Sequence, residues 1–185
     1  GYGGAACTPL DAFFSGDREV LVFRQTYDPV NPFFFSDTND WAEAKSYNPD
    51  ASDSAQYSIL DQLEYFRRRA DGRLHFKLVF PEIAGPNFNE WKQTDNPVTT
   101  PHVTGYAIAG YEALNISFPG KGWGGLIRSD QSSIAFLDGS SAIWLSWFRV
   151  GVRQMNNDET TAGGWYGPSK TPPGDPTGNY WVSLV

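Results

Sequence analysis

Trp41, Trp91, Trp123 and Trp165 stand in or beside polar, Gly- or Asn-rich segments. An indole face flanked by amides and carboxylates suits a sugar ring: the indole stacks on the C–H face, and the polar groups bond the hydroxyls. The densest set is NFNEWKQTDNP, where Asn87, Asn89, Gln93 and Asp95 surround Trp91. With Trp123 and Trp165 these residues are the candidate carbohydrate contacts. The competing reading is structural. Tryptophan is rarely fully buried even when it serves the core, so a ring beside polar residues is equally a loop anchor. Trp144, Trp147 and Trp181 lie in apolar runs and are assigned to the core.

Other constellations point to other chemistry. Phe33, Phe34 and Phe35 are consecutive rings before the polar stretch SDTND. They are either a plug over the core or a contact for a protein partner. Hard oxygen ligands cluster in SDTND, NPDASD and NNDE, so Asp37, Asp40, Asp50 and Asp53 are candidates for a structural calcium. None of these loops has the EF-hand pattern, and Asx-rich turns also recur for backbone reasons alone. Acid–base hydrolysis of a glycan needs paired carboxylates, for which Glu82, Glu90, Asp95 and Glu112 are available. Nucleophilic catalysis has little to draw on. The histidines are His75 and His102, the single cysteine is Cys7, and no GxSxG elbow occurs. Zinc-type spacing, a P-loop and a dinucleotide fingerprint are also missing from the sequence. Asn115-Ile116-Ser117 is a sequon for N-glycosylation, with Asn115 expected to point outward.

The elements that would position these residues read as β-strands. Of 185 residues 40% are hydrophobic and 16% aromatic, enough for one core without cross-links. Alternation marks strands at Glu19–Tyr27, Arg73–Phe80, Val103–Ala109, Glu112–Phe118, Gly124–Arg128, Ser133–Leu137, Ala142–Val152 and Tyr180–Val185. Ala142–Val152 is apolar on both faces and should be buried on both. Asp138-Gly139 reads as the turn before it. In Arg73–Phe80, Leu74, Phe76, Leu78 and Phe80 should face inward, with Arg73, His75 and Lys77 outward. The segment SILDQLEYFRRR predicts one peripheral α-helix over about 58–69, opened by Ser58 and Asp61 and closed by Arg67, Arg68 and Arg69. Residues 83–101, including Trp91, are expected to be mainly loop. So is the Gly- and Pro-rich stretch from Asn156 to Gly178.

These elements predict an N-terminal arm over 1–17 and a single antiparallel β-sandwich of jelly-roll type over 18–185. The terminal strand is expected to lie unpaired, and the natural chain to continue past Val185. The formal net charge is −7 with a pI near 4.7, which disfavours nucleic acid as a partner. No apolar run is long enough to span a membrane as a helix.

The segments DGRLHFKLVF, FNEWKQTDNP, GWGGL and FLDGS, in this order, resemble a pattern in predicted secreted proteins of marine invertebrates. The resemblance runs from about Ser58 to Val150. It implies a secreted, extracellular address and a modular recognition or matrix role, and it brings no catalytic residues. The expectation is therefore a non-enzymatic extracellular interaction or structural module, part of a secreted matrix or protein assembly, with protein partners or self-association. A lectin-like carbohydrate-binding module is the alternative, and a glycan-active hydrolase the next.

Overall fold

A computed structural model describes residues 19–25, 45–68, 70–81, 85–100, 107–117, 123–128, 135–140, 150–152 and 180–184. Among the described residues the fold is mainly β, built of antiparallel strands with one short helix between β3 and β4. The strands are β1 (Val20–Gln25), β2 (Ser46–Tyr47), β3 (Gln56–Ile59), β4 (Leu74–Val79), β5 (Phe88–Gln93), β6 (Glu112–Ile116), β7 (Trp123–Arg128), β8 (Ala135–Ser140), β9 (Val150–Val152) and β10 (Tyr180–Leu184). Seven form one sheet in the order β2-β3-β1-β10-β4-β5-β6, and β7-β8-β9 form a second.

β4 follows its sequence pattern closely. Leu74, Phe76, Leu78 and the following Phe80 are buried, while His75, Lys77 and Val79 are half-buried on the other side. A strand with one apolar face can place its residues in only one register, because a slip by one would turn every side chain over. β1 departs from alternation. A bulge between Leu21 and Phe23 breaks its pairing with β10, and Val22 and Phe23 are both fully buried. An inserted residue shifts the parity of the strand, so two successive side chains reach the core.

Several sequence expectations are corrected. The helix is a 3₁₀ helix over Leu60–Phe66, not an α-helix over 58–69. Ser58 belongs to β3 and is buried; Ile59 stands at the N-cap without a side-chain cap bond, and Ser58 Oγ accepts the Leu60 N–H at 3.5 Å. Leu60, Leu63 and Phe66 are spaced by three, which stacks them on one side of a helix with three residues per turn. Leu60 and Leu63 are buried in the core, with Phe66 packed against it.

Trp91 lies in β5, not in a loop. Asp138 and Gly139 continue β8 rather than turning it; Asp138 is buried and opposes Ile127. Residues 107–109 are not strand. β10 is not an unpaired end, for it sits between β1 and β4 with partners on both sides. The expected strand Ala142–Val152 is described only at β9. The N-terminal arm, residues 103–106 and the loop from Asn156 to Gly178 lie outside the described residues.

One core joins the sheets. Val22, Phe23, Phe76, Leu78 and Trp91 come from the larger sheet, and Trp123, Leu126, Phe136, Leu137 and Val150 from the smaller. Burying an aliphatic or aromatic side chain of this size contributes roughly 1.5–3 kcal/mol.

Candidate functional site

The structure gathers Trp91, Gln93 and Trp123 into one place, the joint between the sheets. β5 turns Asn89, Trp91 and Gln93 to one side, and all three are fully buried. The Trp91 indole stacks on Phe76 with centroids 5.4 Å apart and meets Trp123 edge-on at 4.8 Å. Trp91 Nε1 donates to Gln93 Oε1 at 2.7 Å. The same oxygen accepts the Leu126 backbone N–H at 3.0 Å. Gln93 Nε2 donates to the Leu126 carbonyl at 2.9 Å and to the Asp95 carbonyl at 2.7 Å. One primary amide thus uses both of its donors and both acceptor directions to tie β5 to β7. Such a group can be buried because nothing on it is left unpaired.

The aromatic and amide chemistry chosen from the sequence is therefore present and close-packed, but faces inward. Trp91 and Gln93 have no exposed surface, and Trp123 is 9% exposed. A sugar ring would need one open indole face. Trp91, Gln93 and Trp123, chosen from the sequence as sugar contacts, lie in the internal joint, and Asn89 is buried in β5. Asp95 braces a loop instead: its Oδ2 accepts the Ala109 N–H at 2.8 Å. Asn87, half-buried before β5, accepts the Phe80 N–H through its backbone carbonyl. Asp50 and Asp53 are exposed in the turn between β2 and β3. Among the described residues no three His, Cys, Asp or Glu side chains gather as metal ligands. Phe33, Phe34, Phe35, Asp37, Asp40 and Trp165 lie outside the described residues.

The opposite face of β4, β5 and β6 carries charges of both signs. Arg73 bridges to Glu112 across β5 and to Asp71 at 3.1 Å, and Lys92 Nζ lies 3.6 Å from the same Asp71 carboxylate. His75 Nε2 is 2.8 Å from Glu90 Oε1. Lys77 pairs with Glu19 and lies 4.8 Å over the Phe88 ring. The Asp71 carboxyl is held below its ordinary pKa, first by the Arg73 backbone N–H and then by the Arg73 and Lys92 charges. The His75–Glu90 pair has the form of an acid–base dyad, but His75 Nδ1 is buried with no hydrogen-bond partner among the described residues. A base needs its free nitrogen within reach of a substrate proton. Of the carboxylates considered for glycan hydrolysis, Glu90 is held by His75, Asp95 by a backbone amide and Glu112 by Arg73, and Glu82 lies outside the described residues.

A second cluster holds the 3₁₀ helix against the loop after β5. Arg67 forms a two-pronged pair with Glu64, both contacts at 2.7 Å. Arg67 Nη1 also donates to the Gly72 and Thr94 carbonyls at 2.9 and 2.6 Å. Asn96 Nδ2 donates to Glu64 Oε1 at 2.7 Å, while Asn96 Oδ1 accepts the Val98 N–H. Its Arg67 and Asn96 hydrogen bonds outweigh desolvation and keep the Glu64 carboxyl below its ordinary pKa.

Sequence reasoning missed the partners in both clusters. Alternation showed that Arg73, His75 and Lys77 face outward, but not that β5 and β6 would oppose them. The loop that holds Asn96 was expected within residues 83–101. The tie of Asn96 to Glu64, 32 residues away, was not. No protein-family model matches the chain, and no curated protein or solved structure is detectably similar to it.

Proposed function

We propose that this chain is a non-enzymatic extracellular interaction module, part of a secreted matrix or protein assembly, in which the two sheets face each other as a jelly-roll sandwich. The observation that carries this reading is the buried Trp91–Gln93–Trp123 joint. Groups suited to binding a small ligand serve there to fasten one sheet to the other. Toward solvent the larger sheet offers Arg73, His75, Lys77, Glu90, Lys92 and Glu112, held by the pairs Arg73–Glu112, His75–Glu90, Lys77–Glu19 and Lys92–Asp71. A fixed pattern of alternating charge is suited to reading a complementary protein face, since it sets register and rejects like-charged partners.

Light scattering at rising protein concentration tests the reading, together with capture of purified candidate proteins on immobilised chain. Association, or retention of a protein partner, is expected and should weaken in the double variant Lys77→Glu/Lys92→Glu. A chain that stays monomeric and retains no protein would overturn it. Retention of free glycans alone would favour the lectin-like alternative through surfaces other than the joint.

A further inference from the structure

We infer that Asn115 is an N-glycan acceptor and that its glycan guards the outer edge of the larger sheet. The inference rests on the extracellular reading for its setting, but not for its geometry. Asn115-Ile116-Ser117 is the only N-x-S/T sequence in the chain with a residue other than proline in the middle. It spans the end of β6, the last strand of the seven-stranded sheet.

The pairing of β6 with β5 is interrupted. Ala113 opposes Trp91 and Asn115 opposes Glu90, so Leu114 is the extra residue of a bulge. That insertion turns Asn115 to the outer face beside Glu90, while Ile116 opposes Asn89 and packs against the core. Asn115 is exposed, as are Glu112, Ala113 and Leu114. A bulky sugar at Asn115 therefore has room on the outside of the sheet.

Ser117 gives a second, independent observation. Its hydroxyl oxygen is buried and has no hydrogen-bond partner among the described residues. A buried hydroxyl without a partner is a cost to the fold, so packing does not explain a serine there. The sequon does, because the acceptor sequence requires that hydroxyl at the second residue after Asn.

In the modification, the Asn115 amide nitrogen attacks C1 of an oligosaccharide linked to a lipid pyrophosphate. The N–C1 bond forms, the C1–O bond to phosphate breaks, the amide loses a proton to the transferase, and lipid pyrophosphate leaves. On the folded chain the glycan then stands beside an edge that no described strand covers. Open edges template pairing with other chains, and a hydrated glycan blocks that route. Strand addition at β6 is then blocked, and because Asn115 opposes Glu90 on the outer face, the glycan also borders the charged array and leaves its β4 side for contact.

The test is expression behind a cleavable secretion leader in a eukaryotic host. Intact mass is read before and after peptide N-glycosidase, with the site located by peptide mass spectrometry. One glycan on Asn115 is expected, lost in Asn115→Gln and Ser117→Ala and kept in Ser117→Thr. Ser117→Ala made without glycosylation should melt no lower than the unglycosylated parent. A secreted, folded parent with bare Asn115 would overturn the inference, as would clear destabilisation by Ser117→Ala. Because the leader is supplied, the result does not depend on the natural address. A glycan at Asn115 in the forced experiment upholds the acceptor even if the natural chain proves to be intracellular.

Discussion

Gln93 fastens β5 to β7 through a single side chain. Its amide satisfies Trp91 Nε1, the Leu126 N–H and the Leu126 and Asp95 carbonyls from one buried point. Gln93→Ala would leave several buried groups unpaired, at about 1–3 kcal/mol for each that water cannot reach. A loss of at least about 3 kcal/mol is therefore expected in urea unfolding. Trp91→Ala, which removes the stacked ring, should cost about 3–5 kcal/mol. Gly125 makes this packing possible. It has φ +98°, and a Cβ there would lie 2.8 Å from Gln93 Oε1 and 3.2 Å from Ile108 and Tyr111. Gly125→Ala should thus destabilise by more than about 1 kcal/mol, through both contact and backbone strain. The importance of Trp91 and Gln93 was legible from their types and spacing; the direction in which they faced was not. An indole beside amides looks the same in sequence whether the amides meet a ligand or a neighbouring strand.

At the level of elements, the 3₁₀ helix depends on its Arg67–Glu64 clamp, since its N-cap Ile59 has no side-chain cap bond and Ser58 Oγ reaches the Leu60 N–H only at 3.5 Å. The Glu64 carboxyl has a folded-state pKa below its ordinary 4.5. Its contribution is therefore present in full above the unfolded value and is lost as pH falls through the folded one. Asp71, held low by Arg73 and Lys92, acts in the same direction. Melting temperature should fall on acidification below about pH 4.5, and the fall should be shallower in Glu64→Gln. The variant is expected to be less stable than the parent at neutral pH and to approach it in acid. Because Glu64 is exposed on its outer side, the effect should be small and salt-sensitive. The helix itself shows why an element can be located but mistyped. Leu60, Leu63 and Phe66 satisfy a period of three as well as 3.6, and β3 draws Ser58 and Ile59 into the sheet.

For the whole molecule, the larger sheet closes around β10, which pairs with both β1 and β4. Segments far apart in sequence must meet before that sheet is complete, and such topologies fold slowly. Among the described residues no helix is long and apolar enough to cross a membrane. If the charged face of β4–β6 makes the molecular contact, association should weaken as salt rises, because salt screens exposed charges and largely cancels their interaction beyond about 10 Å at 0.1 M. Sedimentation across a salt series checks this, with salt-independent association counting against that face.

The amino-acid sequence by itself determined a β-rich chain with an aromatic core, the placement of β1, β4, β7 and β10, and the inward set Leu74, Phe76, Leu78 and Phe80. Alternation is local, so neighbours along the chain suffice to read it. Tertiary structure alone decided the strand order, the bulges at Val22 and Leu114, and the burial of Trp91 and Gln93. Those depend on partners dozens of residues away, and a one-residue insertion in a strand reverses which side chains meet water.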